Sequence, residues 1–142
     1  MTIGSRELFA FAQTLGRDGS EVATRDAISR ACYAAFHRCR AWEQSLPELG
    51  NNEGPSGGSH QELINRLKHP SRKCGEVLRD RSRANGIQLE VQRGRRRLAD
   101  YDLEEDVMPA VMHDQLSQVR ELLRRCDEPF PTTAPLKPPA AP

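Results

Sequence analysis

SRACYAAFHRCR, residues 29 to 40, is the stretch on which the fold turns. Ala31, Ala34 and Ala35 are threaded between Arg30, Tyr33 and His37. Residues three and four apart share a helix face, so Arg30, Tyr33 and His37 line one side. The alanines leave another side low enough for a neighbouring helix to approach closely. Upstream, Val22, Ala23, Ala27 and Ile28 continue the apolar face, and Trp42 extends it downstream. Ser20 can cap this helix, and the spacing predicts an end near Leu46, because Pro47 disfavours helical geometry in the residue before it. Arg30 and His37 are separated by roughly 10.5 Å along the axis, so both reach one phosphate only if the arginine leans toward the histidine.

Working outward, the rest of the chain is also helical in pattern. Ser5 can cap a first helix to about Leu15, with Leu8, Phe9, Ala12 and Leu15 at helical intervals. After the long helix comes PELGNNEGPSGG, residues 47–58, a glycine-rich loop expected to be mobile. Ser59-His60-Gln61-Glu62 fits a capping box, predicting a third helix that ends before Pro70. The basic segment from Ser71 to Ala99 follows, and Asn85-Gly86 is the place for a break or kink. DYDLEED reads as a polar turn, and a last helix covers about Val107 to Cys126, with Pro109 in its first turn. Strand patterns are absent. The fold class expected is all-α, an up-and-down bundle of four to five main helices, over residues 1–126. Residues 127–142, rich in proline and alanine, read as a flexible tail.

Composition narrows the function classes. From Arg66 to Arg97 there are eleven Lys/Arg against three Asp/Glu, and from Leu98 to Glu128 three against nine. Such asymmetry suits either a basic surface beside an acidic one or two solvated helix faces. The four cysteines, Cys32, Cys39, Cys74 and Cys126, form no C-x-x-C pair, so no structural metal site is expected. The expectation is a cytoplasmic protein with reduced, buried thiols, no cofactor and no membrane span. Aromatic residues are 5% of the chain, which argues against recognition of RNA by base stacking and, for a chain that binds RNA, favours shape or backbone contact.

A second marked stretch is RGRRRLADYDLEED, residues 93–106. Arg97 and Tyr101 are four apart and meet on one helix face, with Asp100 and Asp102 beside them. Ser29-Arg30-Ala31-Cys32-Tyr33-Ala34-Ala35-Phe36-His37 and the later Arg96-Arg97-Leu98-Ala99-Asp100-Tyr101 together resemble the HEPN superfamily of helical bundles. They are similar to its prokaryotic branch marked by SRxYYAxFH and RxxADY segments. Here cysteine stands at the first tyrosine position, and Ser59-His60 matches the branch's SH ahead of the third helix. The resemblance covers about Val22 to Cys126.

The resemblance implies a homodimeric bundle belonging to a toxin–antitoxin pair or a phage-defence system. Its implied partners are RNA and a nucleotidyltransferase or a larger defence effector. Many HEPN proteins are metal-independent ribonucleases, with an arginine followed after four to six residues by a histidine in the later helix. This chain departs from that pattern: Asp100-Tyr101 follows Arg96 and Arg97, and the next histidine is His113. Arg30 and His37 have the letter spacing in a different helix. Two functions follow from the resemblance. One is a ribonuclease with His37, Arg97, Tyr101 and Asp100 as catalytic candidates, and Arg30, Arg93, Arg95 and Arg96 holding RNA. The other is a non-catalytic module that binds RNA or a protein. A third idea implied by the resemblance is nucleotide addition to Tyr101 by the partner transferase.

Overall fold

The structure is a computed structural model that describes residues 3–131. It is an all-α bundle of five helices: α1 Ser5–Gly16, α2 Glu21–Glu43, α3 Ser59–Lys68, α4 Gly75–Tyr101 and α5 Pro109–Asp127. A single 3-10 turn, Arg72–Cys74, leads into α4. No strand occurs among the described residues, and none of their helices is long and apolar enough to cross a membrane.

The alanine-rich helix is the centre. Ala27, Ala31, Ala34 and Ala35 on α2 are fully buried, and α1, α4 and α5 all pack against this helix. Ser29 meets Asp100 and Tyr33 meets Arg96, so α2 and α4 are antiparallel. On α5, Gln115 reaches Ile28 while Arg38 reaches Cys126, so α2 and α5 run the same way. Helix α3 lies along α4. Glu43 at the end of α2 is buried and accepts Arg66 Nε at 2.8 Å and Nη2 at 3.0 Å, fixing α3 to α2.

Several details differ from expectation. Ser20 does cap α2, accepting the Ala23 amide at 3.2 Å. Ser5 and Ser59 do not cap: each is the first helical residue, behind Gly4 and Gly58, with no side-chain cap bond. At Ser59 the reason is the preceding loop, which folds down onto the helix. Asn65 Nδ2 donates to Asn52 Oδ1 and to the Pro55 carbonyl, both at 2.9 Å, and the Asn51 amide donates to the His69 carbonyl at 2.9 Å. The loop expected to be mobile is therefore tied to α3. The start of the expected tail is also engaged: Phe130 packs edge-on against Trp42, with ring centroids 5.8 Å apart. The remainder of that tail, from residue 132, lies outside the described residues.

Helix α4 runs unbroken through Asn85-Gly86. Gly86 is there for approach, not flexibility: a Cβ would stand 2.8 Å from Lys68 Cγ, 3.0 Å from Leu67 Cβ and 3.1 Å from the Lys68 amide nitrogen. Gly94, two turns on, has nothing within 4 Å of such a Cβ. The two glycines should answer the same substitution with opposite signs. Gly94→Ala should stabilise the fold by about 0.5–1 kcal/mol through helix propensity. Gly86→Ala should destabilise it by roughly 1–3 kcal/mol through overpacking. Urea unfolding monitored by circular dichroism measures both; stabilisation by Gly86→Ala would mean that α3 does not lie on α4 at this level.

Candidate nucleic-acid interface

Three segments distant in sequence meet on one side of the bundle. From α4, Arg96 Nη1 donates to the Tyr33 hydroxyl at 3.1 Å, and its guanidinium lies 5.2 Å from the Tyr33 ring centroid. One turn along, the Ser29 hydroxyl donates to Asp100 Oδ2 at 3.1 Å. From α3, His60 packs on Phe36 with ring centroids 4.5 Å apart, and Phe36 stands edge-on to His37 at 5.3 Å. Arg93 Nη1 donates to Gln61 Oε1 at 2.5 Å. On this strip of α2, Ser29 thus faces Asp100 and Tyr33 faces Arg96 on α4, while Phe36 faces His60 on α3.

The polar groups here are not all satisfied. His60 Nε2, Arg93 Nε and Arg96 Nε are buried without a hydrogen-bond partner. Burial above all, then the positive charges of Arg96 and Arg93 and the neighbouring His37, pulls His60 down to about 4. His60 is therefore a neutral imidazole at physiological pH. Arg93 is drawn below its usual value by burial first and then by Arg97 and Arg96. Cys32, beneath the strip, is pushed up to about 12, chiefly by burial, which leaves it an inert thiol.

The arginines on this face carry no compensating carboxylates. Among the described residues, none of Arg93, Arg96 and Arg97 forms an ion pair with an acid. Acids of the C-terminal segment are engaged elsewhere. Asp127 pairs with Arg6 and Arg38, and Glu128 with Arg81 and Arg124. The charge asymmetry in the sequence becomes a local excess of unpaired arginines in the last three turns of α4.

The expected site residues separate into groups. Arg93, Arg96 and Asp100 face α2 and α3 as described. Arg97 is exposed at the rim, one turn on from Arg93. Arg30 is exposed on α2, three residues before Tyr33. His37 is exposed beside Phe36. Arg95 stands on another face, donating to Gln115 Oε1 at 3.1 Å and Gln118 Oε1 at 2.6 Å on α5. Tyr101 is 75% exposed. In the antiparallel register His37 is level with Gln92 and Arg93, whereas Tyr101 is level with Ile28, roughly 13 Å farther along the axis at 1.5 Å per residue. The structure therefore does not gather His37 and Tyr101 into one catalytic constellation. What joins the face instead is His60 with Gln61, which the sequence marks as a helix start and as the SH of the resemblance, without placing it beside the arginines. The available signal is the histidine at that start; its burial between two arginines depends on packing.

The chain matches no family model, no curated protein and no solved structure.

A histidine held neutral by its surroundings has a calculable effect on stability. The unfolded chain takes up the His60 proton near the ordinary value of 6.5, the folded chain only near 4. Between those values the unfolded state binds more protons, so the His60 contribution to stability falls as pH falls. Urea midpoints should decline between about pH 6.5 and 4, and His60→Gln should flatten that decline. Equal slopes for the two proteins would show that His60 is not sealed in this way.

Proposed function

We propose that this chain is a HEPN-like component of a prokaryotic toxin–antitoxin or phage-defence system, acting in the cytoplasm and gripping the phosphate backbone of RNA. The observation that carries the reading is the meeting of the three marked segments on one arginine-rich face without carboxylate partners. Arginine guanidinia suit phosphate geometry, and backbone contact needs few aromatics. The Nε groups of Arg93 and Arg96 are buried donors without a partner, which an anion reached by a shift of these side chains would satisfy. A homodimer belongs to this reading, and sedimentation velocity returning a monomer would remove that part of it.

RNA binding by backbone contact should weaken steeply with salt. Arg96→Ala and Arg93→Ala should each lower affinity across all sequences and reduce the salt slope by about one. Fluorescence anisotropy with single-stranded RNA at several salt concentrations measures this. Binding with no salt dependence, or an unchanged slope in both variants, would count against the interface.

Metal-independent cleavage is a second reading, favoured by the neutral imidazole of His60 beside two arginines, since a neutral imidazole can accept a proton while the cations hold the phosphate. Purified protein would then cleave RNA in EDTA, and His60→Gln would reduce the rate by about 10²–10⁴-fold. Cleavage that survives both His60→Gln and Arg96→Ala belongs to something other than this face.

A further inference from the structure

We infer that the Arg93–His60–Arg96 cluster is an anion site whose occupation by a phosphate group places a proton on His60. This deepens the RNA-backbone reading and rests on it for the identity of the anion. The geometry supplies the argument. His60 Nε2 is enclosed and unpartnered, and so are the Nε groups of Arg93 and Arg96, the two cations that act on it most strongly. Each guanidinium is held by a single neutral group: Gln61 Oε1 at 2.5 Å for Arg93, the Tyr33 hydroxyl at 3.1 Å for Arg96. A long, jointed side chain held at one end in this way can swing its free edge toward an incoming anion without breaking the helix packing.

The charges that face His60 all have one sign or none. From α4 come Arg93 and Arg96, with Arg97 behind Arg93. From α2 come His37, the apolar ring of Phe36, and Tyr33 through Arg96. On α3 itself the nearest carboxylate in sequence, Glu62, acts on Arg66 one turn further along. Asp100 is bound to Ser29, a turn beyond Arg96. No carboxylate therefore balances the two guanidinia around the imidazole. A phosphodiester entering between them brings a negative charge and an acceptor oxygen for Nε2–H. Both changes favour the imidazolium, so binding the anion and binding the proton reinforce each other.

Linkage makes the coupling reciprocal: an anion that raises the His60 pKa binds more tightly in acid by the same factor. If occupation restores His60 from about 4 to its ordinary 6.5, affinity rises up to roughly twentyfold between about pH 7 and pH 5. The step is a proton transfer from solvent to His60 Nε2, with no bond to phosphorus made or broken.

The test uses the whole chain. The His60 imidazole resonances are followed by NMR through a pH titration, first alone, then with sulfate, which stays a dianion throughout the range. Sulfate should move the His60 midpoint upward by about one unit or more. A midpoint that does not move with saturating sulfate overturns the proposal. A short oligouridylate without terminal phosphates has no group titrating between about pH 5 and 7, and serves as the second ligand. In wild type its affinity should rise as pH falls, and His60→Gln should lose most of that rise while still binding at neutral pH. Equal pH dependence in the two proteins overturns the proposal even if RNA binds. If sulfate moves the His60 midpoint but oligouridylate does not bind, the anion site stands and the RNA reading falls.

Discussion

A guanidinium beneath the last turn of α4 sets the register on which everything else depends. Arg25, nearly sealed at 9% exposure, donates to the carbonyls of Leu98, Ala99 and Asp102 at 3.3, 2.9 and 3.0 Å, and to that of Glu105. Glu21, one turn before it on α2, pairs with it at 3.1 Å. A helix end leaves its last carbonyls without partners and carries partial negative charge. One buried arginine answers both needs, and does so from a fixed height on α2. With that height fixed, antiparallel packing dictates the rest: Ser29 falls opposite Asp100, Tyr33 opposite Arg96, and the Phe36–His37 turn opposite Arg93 and the start of α3. A shift of one turn would take Arg25 away from these carbonyls and set Tyr33 against a different residue.

The same contact explains how Asp100 is tolerated. A carboxylate in the last turn of a helix faces the negative end of the macrodipole. Here Arg25 satisfies the carbonyls that create that field, and the Ser29 hydroxyl binds the carboxylate directly. The aspartate then sits at the boundary between the arginine-rich turns of α4 and the acidic turn that follows. It does not neutralise Arg93 or Arg96, which are directed at Gln61 and Tyr33 instead. The excess positive charge is thus a consequence of register, since the nearest acid in the helix points at another partner.

How much of this is legible in the sequence depends on whether the controlling interaction is local. The alanine spacing in α2, the Ser20 cap and the apolar stripes of α1 and α5 are consequences of residues within a few turns, and the fold class follows from them. Gly86 reads as a kink because a glycine in a helix is a weak point; its role emerges only when Leu67 and Lys68 press against it from α3. Ser59 reads as a cap because its four-residue pattern is right, but Asn65 draws the preceding loop down and makes Gly58 the cap. At the candidate site the arginines are visible as a charge run, and their faces are not: Arg95 and Arg96 are neighbours in sequence, yet one binds α5 and the other α2. Arg25 sits between Thr24 and Asp26, and nothing within α2 alone shows that it lies under a distant helix end.

The choice of side chains at the face has a physical logic that bears on what it can bind. Two lysines in place of Arg93 and Arg96 would relieve their mutual repulsion by deprotonating when buried; arginine keeps its charge under the same pressure. His60 beside them stays neutral, chiefly through its burial and then through these two charges. A cluster of this kind is held together by packing around Phe36 and by Tyr33, not by its own electrostatics. It leaves like charges side by side, as the pull of Arg97 and Arg96 on Arg93 records. A purely structural interface would be expected to place a carboxylate there, as this protein does where Glu43 meets Arg66.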